Sequence, residues 1–344
     1  MNLKGIFNIY FLNYKFNNKQ LTELKLGKSH KVDYFIYAKP ELHYLQMQLV
    51  RLALEKGLDT TVLINSKFNP RQIAEIHLGL ENNLDFLLYS NQEFTWEQMY
   101  QIREGLKNDV DVSIYSKPEF NWEQMFQIRL GLEQGLGVSW YAKPEFTYQQ
   151  MVAIRFGLEN KLDVSWYANP EFNKDQMIQI RLGLEEKLDV SIYAKTEFNA
   201  WQMEELRIAL YNKVDTSLFA TPEYNYKQMS QIFQGLFHGL DVSWYAKPEF
   251  DCWQMLYIRL GLEEELDVSW YANPVFYDEQ IIQISAGLKM NLDVSLYARP
   301  EFNDRQMQEI RLGLKHGIDV STYLNPSIKC EEMERIRLEL QGNK

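Results

Sequence analysis

The sequence predicts an all-α fold, an α-solenoid of 13 tandem 26-residue repeats, each with a long helix and a short α- or 3₁₀-helix. Three observations support this prediction. The segment Tyr141–Phe146 recurs, in stronger and weaker copies, at multiples of 26 residues without insertion or deletion. An apolar stripe with helical spacing follows a capping residue in each regular copy. A shorter capped segment then ends at a proline in most copies.

The repeat accounts for nearly the whole chain. Thirteen copies cover 338 of 344 residues, and nine of 10 prolines fall at one repeat position. We therefore expect a single array over residues 1–344 in which each unit buries its apolar face against its neighbours. Residues 1–36 would form a basic N-terminal capping unit, 37–322 the regular repeats and 323–344 a polar C-terminal capping unit.

The long helix is predicted over about residues 122–134 and the equivalent positions. Asn121 and Gln124 fit the N-cap and N3 positions of a capping box. Met125 and Ile128 begin an apolar stripe with the spacing of one helix face. These features repeat in most copies, so we expect a long helix in every unit.

A glycine lies inside this helix, at Gly131 and at the equivalent position of nine other copies. Only Ala53 and Ala209 replace it before the terminal Glu339. A glycine within a helix costs up to ~1 kcal/mol relative to alanine, so its recurrence requires a compensation. We expect it to permit close approach between the long helices of successive units; the alternative is a hinge in every repeat.

The segment after the long helix is open to two interpretations. Leu136, Val138 and Trp140 alternate as in a β-strand. Val138 and Tyr141 instead have helical spacing and follow a capping position that is Asp in 11 of 12 copies, Asp163 among them. We favour the short α- or 3₁₀-helix, because its apolar positions vary least between copies.

The repeat Gln-Met-x-x-Ile-Arg-x-Gly-Leu-Glu-x-x-Leu-Asp-Val-Ser-x-Tyr-Ala-x-Pro-Glu-Phe resembles a tandem 26-residue repeat of uncharacterised proteins of gut Firmicutes and their mobile elements. Residues 128–146 carry the resemblance apart from Gly137, and the first three units depart from it. The alternating helix lengths are also similar to leucine-rich-repeat-variant and HEAT-like solenoids. The resemblance implies no catalytic residues, and it implies a host-takeover or anti-defence role.

We expect no enzymatic activity, cofactor or metal. The glycines occur singly within helices and form no phosphate-binding loop. Cys252 and Cys330 lie three units apart, too far for a disulfide. The repeated carboxylates have like environments, whereas an acid/base pair needs different ones. The histidines are expected at exposed helix ends: His30, His43, His77, His238 and His316.

Two further rows have a structural and a binding interpretation. An anion-binding stripe is one interpretation of the arginine row, and internal pairing with the acidic rows of Asp163 and Glu145 is the one we favour. The tyrosine row of Tyr141 could stack nucleic-acid bases, but Phe11, Leu63 and Phe219 replace tyrosine in three copies, which favours core packing. The arginine row comprises Arg51, Arg103, Arg129, Arg155, Arg181, Arg207, Arg259, Arg311 and Arg337.

Variation between copies concentrates near the start of the long helices, where large aromatic residues occur. Aromatic side chains at exposed positions are frequent contact hot spots, although packing against the next unit remains an equal alternative. The predicted partner-binding residues are Trp96, Tyr100, Trp122, Phe126, Tyr148, Trp201, Tyr226 and Trp253.

Charge and hydropathy guide the choice of partner and compartment. The net charge is −11, with +5 in Met1–Lys31 and −16 in the remainder. This balance argues against nucleic acid as the ligand and favours a protein partner, either basic or itself nucleic-acid-binding. No apolar run could cross a membrane, and Met1–Tyr14 does not fit a secretory signal, so we expect a cytoplasmic protein.

The sequence thus predicts a non-enzymatic repeat scaffold that binds another protein through an extended acidic and aromatic surface. A more specific version is a phage or mobile-element inhibitor of a host nucleic-acid-binding defence protein. The alternative is a modular binder of single-stranded nucleic acid that reads one unit per repeat. That alternative depends on the varied polar residue before the proline, which is Lys117, Lys143 or Asn169 in successive units.

Overall fold

The computed structural model describes residues 16–65 and 67–342, and these contain helices and turns but no strand. The predicted all-α repeat is confirmed. The expectation of no secretory signal, which concerns Met1–Tyr14, lies outside the described residues. The long helices are α1 Asn18–Ser29, α2 Tyr44–Glu55, α3 Pro70–Glu81, α4 Trp96–Lys107, α5 Trp122–Glu133, α6 Tyr148–Glu159, α7 Lys174–Glu185, α8 Ala200–Tyr211, α9 Tyr226–Phe237, α10 Cys252–Glu263, α11 Asp278–Lys289, α12 Asp304–Lys315 and α13 Cys330–Gly342.

The short segment forms a 3₁₀-helix in most units, and the strand interpretation is wrong. The Asp163 carboxylate caps one such helix by accepting a hydrogen bond from the Ser165 N–H at 3.1 Å. Gly137 occupies the same position without a side-chain cap. The 3₁₀-helices are Tyr34–Ile36, Phe86–Leu88, Val112–Ile114, Val138–Trp140, Val164–Trp166, Val190–Ile192, Val242–Trp244, Val268–Trp270, Val294–Leu296 and Val320–Thr322.

The described residues form two compact bodies, one through Met177 and one from Ile178, and the division falls within α7. In the first body, α1 to α6 pack in chain order, each against the next. In the second, α8 to α13 pack in the same way. Most 3₁₀-helices also contact the long helix that precedes them. Each unit contributes a set of side chains to the core, represented by the fully buried Met125, Ile128 and Tyr141.

The capping box is confirmed, and its glutamine has a second role. Gln124 accepts a hydrogen bond from the Asn121 N–H at 2.8 Å through Oε1. Its Nε2 donates to the carbonyl oxygens of Phe146 at 2.6 Å and Pro144 at 3.1 Å, in the loop before α6. The buried side chain therefore joins the start of one long helix to the loop that begins the next.

The expectation that the glycine permits close approach between successive long helices is wrong, because the glycine instead contacts the short segment of its own unit. A Cβ atom on Gly131 would lie 2.0 Å from the hydroxyl of Tyr141, in the short segment of the same unit. That hydroxyl donates to the Gln127 carbonyl oxygen at 3.2 Å, and burial raises the pKa of Tyr141. Nine of the ten row tyrosines donate to the equivalent helix carbonyl. The glycine thus makes room for a tyrosine, and the tyrosine row is core, as predicted.

Candidate functional site

The arginines pair internally, as predicted, but with partners other than the expected rows. Arg129 Nε donates at 3.0 Å to Oε1 of Gln101, on the preceding long helix, and Nη1 contacts Glu133 one turn later on α5. Eight arginines bind the side chain 28 residues earlier in this way. The Asp163 row caps 3₁₀-helices and the Glu145 row is exposed. The paired guanidinium groups form a ladder along the long helices and not a free anion-binding stripe.

The ladder is interrupted at a few positions. His77 occupies an arginine position within α3 and is buried, so its expected place at an exposed helix end is wrong. Burial lowers the pKa of His77. The other four histidines cap exposed helix ends, as predicted. In the second body, Phe233 occupies another arginine position, and the residue 28 positions earlier is Glu205.

Five of the predicted partner-binding residues lie on α4 to α6, and we call them the first aromatic group: Trp96, Tyr100, Trp122, Phe126 and Tyr148. Trp122 is 42% exposed, and Tyr100 and Tyr148 are exposed to a similar extent. Trp96 and Phe126 are half-buried. The first aromatic group combines anchored and accessible rings on three consecutive helices, which suits contact with a partner surface.

Arginines hold three of these rings in place. The guanidinium of Arg71 lies 5.0 Å from the Trp96 ring centroid. Arg103 and Arg129 lie over Tyr100 and Phe126, at 5.3 and 5.4 Å. Such contacts contribute roughly 0.5–1 kcal/mol at exposed sites and restrict the ring. Trp96, Tyr100 and Phe126 therefore each have an arginine neighbour within the chain itself.

The other three predicted residues lie at the start of α8, α9 and α10, and we call them the second aromatic group: Trp201, Tyr226 and Trp253. Trp201 and Trp253 are 62% and 55% exposed, whereas Tyr226 is half-buried. Trp201 stacks on Tyr226 with ring centroids 5.6 Å apart. A tryptophan exposed to this degree has most of its apolar area available to a partner.

A pocket of about 200 Å³ lies beside the second aromatic group. Glu205 contributes a half-buried carboxylate, and burial raises its pKa. Sequence analysis missed this site, although the sequence shows Phe233 at a position where most units have an arginine. The pocket is lined by Glu205, Tyr226, Lys227, Ser230, Gln231, Cys252, Trp253 and Leu256.

A second exposed apolar row, also missed, lies on the short segments. Trp140 and Trp166 are 43% and 41% exposed at the third position of their 3₁₀-helices. Leu88, Leu218, Trp244 and Trp270 are exposed at the equivalent position. The residue at this position varies among apolar residues and Thr322. Such variation is equally typical of a loosely packed position, so the sequence did not indicate that these side chains are exposed.

The polar residue before the proline is a turn residue, and its side chain is exposed at Lys117 and Lys143 and half-buried at Asn169. The Lys143 N–H donates to the Tyr141 carbonyl oxygen at 2.7 Å, and its own carbonyl accepts from the Phe146 N–H at 3.2 Å. Asn169 also accepts a bond from the Glu171 N–H through its side chain. Backbone geometry therefore sets this turn, and the lysine side chains at the position are free to vary.

Comparison with family models, with curated protein sequences and with solved structures finds no match. Within residues 16–65 and 67–342, no helix is long and apolar enough to cross a membrane. The same residues contain no group of three side chains placed to hold a metal ion. Cys252 and Cys330 are both free thiols.

Proposed function

We propose that the chain is a non-enzymatic repeat scaffold that binds another protein through the aromatic and acidic surface of its long helices. One observation carries the proposal. The first aromatic group presents the exposed Tyr100, Trp122 and Tyr148 on three consecutive long helices, at positions that differ between copies. Rings that served only to stack the units would repeat like the buried Met125 and Tyr141 rows.

The partner we propose is basic or nucleic-acid-binding, in the cytoplasm of the host cell. The net charge of −11 favours such a partner, because complementary charge accelerates association and excludes acidic competitors. The resemblance to repeats of gut Firmicutes and their mobile elements supports a more specific version. In that version the chain is a phage or mobile-element inhibitor that occupies the nucleic-acid site of a host defence protein.

Binding of single-stranded nucleic acid is less well supported. The arginines that could contact phosphates are paired along the ladder, and Arg51, Arg103 and Arg129 are buried. The tyrosines that could stack on bases are in the core. The varied lysines before the prolines remain exposed, but the acidic balance of the chain opposes a polyanion.

The proposal is tested by capture of partners on the immobilised full-length chain from an extract of a gut Firmicute. A protein retained by the native chain is identified, purified and titrated against the native chain and the variant Trp122→Ala/Phe126→Ala. We expect the double variant to weaken binding at least about tenfold, because truncated aromatic hot spots cost about 2 kcal/mol or more each.

Trp166→Ala provides the matched control. Trp166 has nearly the same exposed fraction as Trp122, 41% against 42%, but lies on a 3₁₀-helix. We expect this variant to bind like the native chain. If only Trp166→Ala weakened binding, the contact surface would be on the short segments. If the native chain retained no protein, the proposed function would be wrong.

A further inference from the structure

Glu205 is the one glutamate at the acceptor positions of the ladder that no arginine in the described residues pairs with. Its counterparts Glu23, Glu75 and Glu309 each accept a hydrogen bond from an arginine Nε 28 residues later, at 2.6 to 2.9 Å. The residue 28 positions after Glu205 is Phe233, which cannot donate. The Glu205 carboxylate therefore occupies an acceptor position of the ladder but has no arginine partner 28 residues later.

The surroundings of Glu205 satisfy it only in part. Burial raises the pKa of Glu205, and the neighbouring Ser230 side chain opposes that rise. Lys227 lines the same pocket but forms no ion pair with Glu205, and its Nζ lies 6.0 Å from the Tyr226 ring centroid. The half-buried carboxylate thus keeps acceptor capacity that a cationic ligand could use.

The rest of the pocket fits a flat cation. The exposed Trp253 and the half-buried Tyr226 line it together with the apolar Leu256. Aromatic faces attract guanidinium groups and stack on their planes, whereas the compact, strongly hydrated ammonium of lysine gains less from such walls. The chain itself repeats this chemistry, with arginines over Trp96, Tyr100 and Phe126.

We propose that the Glu205 pocket binds an arginine side chain of the partner protein, whose guanidinium takes the place of the missing ladder arginine. The inference rests on the proposed function, since it names one side chain of that partner. Glu205 would accept the charged hydrogen bonds, and the exposed Trp253 would pack on the guanidinium plane. The break in the repeat at Phe233 thus creates a binding site from a structural ladder.

The probe is N-acetyl-arginine amide, added to the full-length chain and followed by NMR of the tryptophan indole N–H signals, with the Trp253 signal assigned by Trp253→Phe. We expect saturable shifts of the Trp253 signal. N-acetyl-citrulline amide has the same shape without the charge, and we expect it to bind at least about tenfold more weakly, because a charged hydrogen bond is worth roughly 1.5–3 kcal/mol. N-acetyl-lysine amide should also bind more weakly.

Three variants test the role of the carboxylate. Glu205→Gln should weaken binding of the arginine probe at least about tenfold, by the same loss of charged hydrogen bonds. Phe233→Arg should weaken it as well, because it restores an internal arginine 28 residues after Glu205. Glu301→Gln is the control and should bind like the native chain, because Glu301 is an exposed carboxylate of the same body that does not line the pocket. Circular dichroism establishes that each variant is folded.

Equal binding of the citrulline and arginine probes would overturn the proposal, as would unchanged binding by Glu205→Gln. Tighter binding of the lysine probe would assign the pocket to an ammonium ligand instead. These outcomes are independent of the first aromatic group, which is tested by Trp122→Ala/Phe126→Ala. A partner that binds through Trp122 while the arginine probe fails would leave the proposed function intact and remove only this inference.

Discussion

At the residue scale, comparison of the units shows that two positions ten residues apart change together. The ten units with a glycine at the Gly131 position have a tyrosine ten residues later. The two units with alanine, Ala53 and Ala209, have Leu63 and Phe219 there, and neither has a hydroxyl. The clash between a Cβ atom and the tyrosine hydroxyl explains this pairing. The same two units have a turn where others have a 3₁₀-helix, so the tyrosine accompanies that conformation.

This dependence predicts the effect of Gly131→Ala. The new Cβ atom would lie 2.0 Å from the Tyr141 hydroxyl and 2.9 Å from Val138 Cγ1. We expect a loss of about 1–3 kcal/mol in the free energy of unfolding from overpacking, despite the gain of up to ~1 kcal/mol in helix propensity. The measurement is the midpoint of urea-induced unfolding.

The double variant Gly131→Ala/Tyr141→Phe should be more stable than Gly131→Ala, because removing the hydroxyl relieves the clash. Gly137→Ala is the control, since a Cβ atom there meets no atom within 4 Å. We expect Gly137→Ala to change the unfolding midpoint little. If Gly131→Ala behaved like Gly137→Ala, the close contact with Tyr141 would not be the reason for the glycine.

At the element scale, much of each unit could be predicted from the sequence. The capping box and apolar stripe predicted the long helix at 122–134, and the helix runs from Trp122 to Glu133. The 3₁₀-helix followed from its capping aspartate and from the spacing of Val138 and Tyr141. The contacts of the buried polar rows could not be assigned, because period alone does not show which neighbour a long side chain reaches. The partners of glycine and arginine were therefore wrong, although close packing and internal pairing were right.

The hydrogen bonds of two glutamines of α5 predict opposite effects of substitution by glutamate on stability. Gln124 Nε2 donates to two carbonyl oxygens of the loop before α6, and glutamate cannot donate when ionised. We expect Gln124→Glu to lower the free energy of unfolding at pH 7 by about 3 kcal/mol, since it places a buried carboxylate beside carbonyl oxygens. The loss should shrink as the pH falls, because a protonated carboxyl can donate one bond. Urea unfolding at pH 7 and pH 4 measures both effects.

Gln127→Glu is the matched control on the same helix. Gln127 is also buried, but its Oε1 accepts from Arg155 Nε at 3.1 Å. Glutamate already occupies this row as Glu23 and Glu75, each paired with its arginine. We expect Gln127→Glu to keep or raise the stability of the native chain. Equal losses in the two variants would contradict the assignment of Gln124 as a donor to the next unit.

At the scale of the whole molecule, regular rows and irregular positions have separate roles. Rows that repeat in nearly every unit, such as Gln124, Met125 and Tyr141, are buried and join or fill the units. The positions that vary present the first and second aromatic groups and the Glu205 pocket. Sequence analysis could select the aromatic residues because they occupy positions that vary between copies, whereas most positions of the repeat hardly vary. It missed the pocket because the break at Phe233 gains meaning only when the acceptor 28 residues earlier, Glu205, is known.

The charge of the whole molecule yields the last prediction. With a net charge of −11 and its ladder arginines paired, the full-length chain should not retain a fluorescent single-stranded oligonucleotide at about 50 mM salt, where polyanion binding is strong. Fluorescence anisotropy measures this, with mixed-sequence DNA and RNA as probes. Binding that fell steeply with added salt would instead support the nucleic-acid alternative. In that case Lys117→Ala/Lys143→Ala should reduce the affinity and the slope of its salt dependence, because these exposed lysines lie at the varied position before the proline.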